Sequence, residues 1–394
     1  MNHGQDVVII GATRTPQGKL MGQLSALSAA QLGGAAIAGA LEQAAVSADS
    51  VQAVIMGQVL QGGAGQNPAR QAAVAAGIPL HAHAHTVNKV CLSGLSAIVE
   101  ATRMLRLGEA DIVVAGGQES MSNAPHLLPD SRAGHLYGHT ALIDSLAHDG
   151  LSDAFSGEAM GLATDQANMA LGIPRCEQDK LAADSHRRAA EAQSGGLFEA
   201  EIIPVKVSRR RGTELIDTDE GVRTESTPGI LGKLRPAFSP EGSITAGNAS
   251  PLSDGAAAVV LTTRGHARLH GHEVLATLGA VGQIAGPDTT LPDKPARAIR
   301  KCLDTAGWAP GDLDFVEINE AFASVVLQSA ADLGIGLEKV NINGGAIALG
   351  HPIGASGARL VVAAVHELAR RRAGKAAVAL CGGGGQGEAL LLKR

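Results

Sequence analysis

Two short stretches, Val51-Gln-Ala-Val-Ile-Met56 and Leu313-Asp-Phe-Val-Glu-Ile318, stand 262 positions apart and decide the fold. Both are runs of mostly apolar and β-branched residues and read as strands. Each follows an amphipathic helix. Ile37, Ala40, Leu41 and Ala44 recur at i, i+3, i+4 and i+7, and Ile299, Cys302, Leu303 and Ala306 repeat that spacing. Beyond the strands the parallel continues. Thr86-Val-Asn88 and Lys339-Val-Asn341 each lead into a turn and a helix, and Ile112-Val-Val-Ala-Gly-Gly-Gln118 is answered by Val378-Ala-Leu-Cys381, further glycines and Gln386. The offset drifts by several residues, as insertions produce. A duplicated strand–helix unit predicts two α/β halves with parallel sheets and right-handed crossovers.

One region, about 121–252, has no counterpart in either half. It is rich in polar turns, carries Arg209-Arg-Arg-Gly212 and reads as a large insertion, and long insertions are usually functional. The expected organisation is an N-terminal half over 1–120, completed by about 253–273, an inserted loop domain over 121–252, and a C-terminal half over 274–394. A site is expected where the halves meet.

Composition narrows the function classes. Of 394 residues, 45% are apolar and only 18% charged, against about 25% charged in an average domain, so a thick layered core or a large subunit interface is implied. The 51 glycines cluster in turns without a G-X-Y period, which excludes collagen. One Trp, one Tyr and five Phe argue against base-stacking modules, and a net charge of −6 gives no general attraction to nucleic acid or acidic lipid. No apolar run approaches the roughly 18 residues of a membrane span. The chain opens on a short strand, Val7 to Ile10, rather than a charged leader, and Cys91, Cys176, Cys302 and Cys381 form no C-x-x-C pair. A cytoplasmic enzyme or binding protein is expected, with no nucleic-acid or membrane partner.

Four segments could carry chemistry. Cys91 lies in Asn88-Lys-Val-Cys-Leu-Ser-Gly-Leu95, between a strand and a periodic helix (Leu95, Ile98, Val99, Thr102). A thiol at a helix start meets unpaired N–H groups, which can lower its pKa from about 8.5 to between about 3.5 and 7.5; a buried structural cysteine is the plainer alternative. His351, in Asn343-Gly-Gly-Ala-Ile-Ala-Leu-Gly-His-Pro-Ile-Gly354, occupies the corresponding place in the second half, with Pro352 suited to a first helical turn, and could serve as base to a thiol. Cys381 ends a strand and opens Gly382-Gly-Gly-Gly-Gln386, whose N–H groups could form an oxyanion hole or merely a sharp turn. Asn319, just after the strand Phe315 to Ile318, could hold a water or cap a helix. His81, His83 and His85 alternate as one strand face, a possible metal-ligand pattern but better read as a polar face. Arg370 to Arg372 reads as a solvated helix end, and Arg209 to Arg211 as a surface run or a phosphate contact.

These segments, with Arg14-Thr-Pro16, Gly57-Gln-Val-Leu-Gln-Gly-Gly-Ala-Gly-Gln-Asn-Pro-Ala-Arg-Gln71, Ala115-Gly-Gly-Gln-Glu-Ser-Met121, Thr245-Ala-Gly-Asn-Ala-Ser250, Asn319-Glu-Ala-Phe322 and Gly350-His-Pro-Ile-Gly-Ala-Ser-Gly357, resemble the thiolase family over essentially the whole chain. Asn88-Lys-Val-Cys91 is more similar to its short-chain biosynthetic members than to its long-chain degradative ones. The resemblance implies an α/β fold, duplicated in five α-β-α-β-α layers, with 121–252 as a CoA-binding loop domain. It implies an acyltransferase that condenses two acetyl-CoA to acetoacetyl-CoA plus CoA, and runs the reverse thiolysis, through an acetyl-Cys91 intermediate. His351 would activate Cys91, Cys381 would move the α-carbon proton, and Asn319 with His351 would form one oxyanion hole. The N–H groups of Cys91 and Gly383 would form the other. Arg223, Ser250, Ala246, Met160, Ala321 and Phe322 match CoA-contact positions. No cofactor or metal is implied, CoA being substrate and product, and a homodimer or homotetramer is. One position departs: Glu158-Ala-Met-Gly161 puts Ala159 where the short-chain members commonly carry histidine, which leaves the acyl range open. The rivals are a degradative 3-ketoacyl-CoA thiolase of broader chain length, a ketoacyl-synthase-type enzyme (which pairs its cysteine with two histidines, not a second cysteine), a non-catalytic acyl-CoA binder, and a metal-dependent hydrolase on the histidine face.

Overall fold

The computed structural model describes residues 5–210 and 212–394; Arg211, last of the three consecutive arginines, and residues 1–4 at the start of the expected N-terminal half lie outside them. Its main strands are β1 (Val7–Arg14), β2 (Ala53–Gly57), β3 (His83–Val87), β4 (Ile112–Ser120), β5 (Ser253–Thr263), β6 (Ala276–Ala285), β7 (Phe315–Ile318), β8 (Lys375–Gly382) and β9 (Gln386–Lys393). With the two-residue strand Gly18–Lys19 they form one ten-stranded sheet in the order β7-β8-β9-β6-β1-β5-β4-β2-β3. The duplication is visible in that order. β3-β2-β4-β5-β1 on one side matches, on the other, Val340 (bridged to Val316 of β7), then β7-β8-β9-β6. The halves are stitched by a short β1–β6 pairing, Val8 to Thr277 and Ile9 to Ala276.

Alternate residues of each strand enter different cores, as a period of two requires. Val7, Ile9, Ile55, Val113, Val378 and Leu390 face a central core with the helices α3 (Ser93–Leu107) and α8 (Ser356–Arg371). Val8, Ile10, Val54 and Val114 face an outer core with α1 (Ala29–Gln43) and α2 (Pro68–Ala75). Val316, Ile318, Ala379 and Leu391 face the opposite outer core with α6 (Lys294–Ala306) and α7 (Ala323–Leu333). The layers therefore run helix, sheet, helix, sheet, helix. Strands buried on both faces explain the near-continuous apolar runs of the sequence. The inserted stretch contributes α4 (Met160–Leu171), α5 (Arg175–Ser194) and two small two-stranded sheets. Among the described residues no helix is long and apolar enough to cross a membrane.

The expectation of parallel sheets is corrected in part. β2, β3 and β4 are parallel, as are β7 and β8, but β5, β1, β6 and β9 pair antiparallel with their neighbours. The cause is connectivity. β8 passes to β9 through Gly383–Gly385, too short for a crossover, and the chain leaves β4 at Ser120 and returns on its neighbour β5 at Ser253. The glycine turn of one half and the large insertion of the other thus occupy equivalent places. Both stand at the strand ends from which the 88–92 and 351–355 turns emerge.

At that end the halves interlock. The Gly354 carbonyl lies so close that a Cβ on Gly57, Gly94 or Gly117 would stand 2.8, 2.8 or 2.1 Å from it. Only hydrogen at these three positions admits the loop. Gly117→Ala should therefore cost about 1–3 kcal/mol of overpacking, read as a lower urea midpoint with an unchanged slope, and should lower activity as well. A variant as stable as the wild type would show that the loop yields freely.

Candidate active site

Cys91 sits on a turn whose backbone is unusual. Asn88 Oδ1 accepts from Val90 N at 3.1 Å, Lys89 N donates to Ser93 Oγ at 2.8 Å, and Ser93 Oγ donates to Val90 O at 2.6 Å. These bonds hold Val90 at φ +51°, a left-handed conformation that a β-branched residue adopts only under constraint. The chain then enters α3, so Cys91 lies at the base of a helix at the inner layer, 6% exposed. The glycine turn of the other half comes down on it. A Cβ on Gly382 would be 2.7 Å from Leu92 Cγ, and one on Gly383 would touch the Val90 methyls at 3.4 and 3.5 Å. The N–H groups of Cys91 and Gly383 both act on the Cys91 sulfur. One donor from each half therefore converges on the thiol.

His351 reaches the same place from the turn that precedes α8. Its Nδ1 lies 2.5 Å from Ser356 Oγ, which is 2.9 Å from the Pro352 carbonyl. A carbonyl only accepts, so the serine proton goes to Pro352, Oγ receives Nδ1–H, and Nε2 keeps its lone pair. Asn319 Nδ2 stands 3.2 Å from that Nε2, while Asn319 Oδ1 is buried with no protein partner. The loop is anchored by Glu119, whose carboxylate accepts from Val59 N (3.0 Å), Leu60 N (3.2 Å) and Gly354 N (2.9 Å).

Cys91, His351 and Cys381 line one cavity of about 290 Å³ with Met121, Ala159, Met160, Phe238, Ser250, Ala321, Phe322 and Ile353. Its wall is strapped together by Ser250 N donating to Ala321 O at 3.1 Å and by the edge-on rings of Phe238 and Phe322, 6.4 Å apart. A larger cleft of about 540 Å³ beside α5 has no cysteine or histidine in its lining, and its Lys180 and Arg187 are paired with Glu177 and with Asp184 and Glu191.

Burial sets the electrostatics. Desolvation pushes the Cys91 thiol up to about 12, outweighing the Cys91 and Gly383 N–H groups, with Glu119 adding to the rise. The expected helix-start thiolate is thus corrected: a dipole cannot offset the loss of water around a buried sulfur. Cys381 is raised still further, by desolvation and by the neighbouring Cys91. Desolvation lowers His351 to about 4, with Arg359 contributing, so its imidazole is neutral near pH 7. Both thiols rest protonated beside a neutral base.

The structure brings Cys91, His351, Cys381 and Asn319 together, with Gly383 alongside. Met160, Ser250, Ala321 and Phe322 line the cavity, whereas Arg223 and Ala246 are exposed and lie outside that lining. Ala159 is at its rim, more than a third exposed. Three local expectations change. Asn319 caps no helix, because α7 starts only at Ala323. Pro352 precedes α8 by a separate turn, since that helix begins at Ser356. Of the three histidines only His83 and His85 are on β3, with His85 against Glu100; His81 precedes it and contacts Asp49 O. Among the described residues no cluster of His, Cys, Asp or Glu is arranged to hold a metal. Residue reading missed Glu119, Ser356 and Phe238. Ser356 was hidden because the helix begins there and not at Pro352, and nothing local pointed to Glu119, whose partners are 59, 60 and 235 positions away.

Two family models match the chain: "Thiolase, N-terminal domain" over residues 7–265 and "Thiolase, C-terminal domain" over 272–394. A "Probable acetyl-CoA acetyltransferase" of Mycolicibacterium smegmatis is 53% identical over 388 residues, 98% of this chain and 100% of that protein. The "Acetyl-CoA acetyltransferase" of Pseudomonas aeruginosa is 48% identical over 391 residues, 99% and 100% of the two. The crystal structure of the Bacillus anthracis acetyl-CoA acetyltransferase covers 100% of both chains with a TM-score of 0.97 at 37% identity.

The buried thiol makes a prediction for the free protein. Because the thiolate form grows with pH up to about 12, alkylation of Cys91 by iodoacetamide should accelerate steadily from pH 7 to 9. A plateau in that range would mean that a thiolate is already formed at rest.

Proposed function

The chain belongs to the thiolase family, and on that premise we propose that it is an acetyl-CoA C-acetyltransferase. It joins two acetyl-CoA into acetoacetyl-CoA and CoA, and runs the reverse thiolysis. The observation that carries this reading is the convergence of two cysteines, a neutral histidine and an asparagine on one apolar cavity. His351 Nε2 takes the Cys91 proton as the sulfur attacks the thioester carbonyl, and returns it to the departing CoA sulfur, leaving acetyl-Cys91. The carbonyl oxygen receives the N–H groups of Cys91 and Gly383. Cys381, whose own proton first passes to His351, then takes a proton from the α-carbon of the second acetyl-CoA. As the enolate attacks acetyl-Cys91, Cys381 gives that proton to the departing Cys91 sulfur and recovers its own from His351, while a water on Asn319 and His351 hold the enolate oxygen. The orphan Asn319 Oδ1 suits that water.

CoA runs from the cavity along Met160, Ser250, Ala321 and Phe322 toward Ala246 and Arg223, with 121–252 as the loop domain that holds it. A homodimer or homotetramer is supported by the edge strand β3, which offers unpaired backbone, and by the exposed Leu136 and Tyr137. A cytoplasmic site of action agrees with a mechanism that needs both thiols reduced.

Intact-protein mass spectrometry after brief exposure to acetyl-CoA should show one acetyl group on the Cys91 peptide, and Cys91→Ala should abolish it. Cys381→Ser should keep this acetylation while losing most condensation, since a hydroxyl is a far poorer base. An acetyl group on Cys381, or equal loss of both steps, would overturn the assignment.

A second reading, wider acyl range, is favoured by the apolar wall of Met121, Leu151 and Ile353 and by the small Ala159 at the rim. Ala159→His should lower kcat/KM for 2-methylacetoacetyl-CoA relative to acetoacetyl-CoA by about 10-fold, the scale of roughly 1–3 kcal/mol per methylene. An unchanged ratio would remove Ala159 from substrate selection.

A further inference from the structure

The two N–H groups that meet at the Cys91 sulfur come from opposite halves, so the gap between them depends on how the 88–91 turn is fixed to the β8–β9 hairpin. One buried carboxylate bridges the two. Glu388, fully buried on β9, lies opposite Leu380 of β8 and Gln283 of β6. Its Oε2 receives Lys89 Nζ at 3.1 Å and the Ser96 hydroxyl, and its Oε1 receives Gln283 Nε2. Gln283 Oε1 in turn accepts from Arg103 of α3 at 3.3 Å. Lys89 stands two positions before the nucleophile, and Glu388 five after Gly383. Ser96 is on the first turns of α3. A single side chain therefore reaches the turn, the helix and the hairpin that together place Cys91 and Gly383.

Packing alone gives no reason for a charge there. Burying a carboxylate costs several kcal/mol unless it is fully bonded, and an apolar residue would fill the space with less penalty. Val90, between Lys89 and Cys91, is held at φ +51° with its methyls against Gly383. Such a conformation persists only where its surroundings over-determine it.

We propose that Lys89 and Glu388 are a positioning pair that holds the strained 88–91 turn against the glycine hairpin and so sets the spacing of the Cys91 and Gly383 N–H donors. Neither side chain touches the reacting atoms. Without the ion pair the turn relaxes, the Cys91 N–H swings away from Gly383, and the oxyanion of the acetylation step loses a donor. A displacement of about 1 Å is enough for losses on the order of 100-fold. The proposal rests on the acetyl-Cys91 reading above.

The test uses Lys89→Met, Glu388→Gln and the double variant in the full-length protein. Three quantities are read: the rate of Cys91 acetylation by quenched-flow mass spectrometry, kcat and KM for acetoacetyl-CoA thiolysis, and the melting temperature. Lys89→Met should slow acetylation and kcat by about 10- to 100-fold, leaving KM within about twofold, and should lower the melting temperature, because the fully buried Glu388 keeps Ser96 and Gln283 but loses its counter-charge. The double variant should be no slower than the slower single one, since both changes break the same contact. Should Glu388→Gln not fold, Lys89→Met alone decides. Acetylation within twofold of wild type, a loss confined to KM, or losses that multiply in the double variant would overturn the pair. Failure of the underlying reading looks different: the wild type itself would carry no acetyl group on Cys91.

Discussion

Gly354 is held at both of its backbone polar groups, and the site depends on that grip. Its N–H is 2.9 Å from Glu119 Oε2, and its carbonyl is enclosed by Gly57, Gly94 and Gly117. All four partners belong to the N-terminal half, while Gly354 and His351 belong to the C-terminal half. A loop seated by hard contact on three glycines has almost no freedom to slide. His351 and Cys91 therefore line one cavity from elements held firmly against each other. Glu119 also ties down Val59 and Leu60 just after β2, which pack in one buried cluster with Cys91, Met121 and Ile353.

Duplication explains why the chemistry gathers here. In each half the third chain segment of the sheet leads into a turn and then an inner-layer helix, α3 or α8. Those helices pack side by side between the sheets, bringing Cys91 and His351 to one cavity. The next position in each half is a return connection at the same end. In the C-terminal half it is a three-residue glycine turn, close enough to add an N–H and Cys381. In the N-terminal half it has grown into the 121–252 insertion, which roofs the cavity. Arg14, fully buried at the end of β1, fastens that insertion through Asp219 (2.7 and 2.9 Å) and Glu201 (2.7 Å). Every charge in that triad is satisfied, the condition under which buried ions are tolerated.

The reactive side chains are buried, and burial governs their reactivity. Thiols out of water stay protonated and the imidazole stays neutral, so the resting state carries no charge at Cys91, Cys381 or His351. In the proposed reaction charge develops only as substrate arrives, beside the N–H groups of Cys91 and Gly383. Fixed donors in a water-excluding cavity stabilise developing charge more than the same groups in solvent.

The sequence by itself determined the duplication, the layered α/β class and the four positions that the fold gathers at one cavity. Periodicity records which face of each strand and helix is buried, and the glycine turns and reactive residue types are local features. It placed Cys91 and His351 at equivalent points because both halves repeat one pattern. Strand direction at β5 and β9 was not legible, since apolar runs look alike whichever way they pair. The acidity of Cys91 was misjudged for a related reason. A helix start can be read from neighbours, but burial is the sum of segments hundreds of residues apart. Glu119, Glu388 and Ser356 became meaningful only in three dimensions, where Val59, Lys89, Gly354 and His351 come within hydrogen-bond reach of them. Short-range order is written in residue spacing; partners across the two halves are chosen by packing.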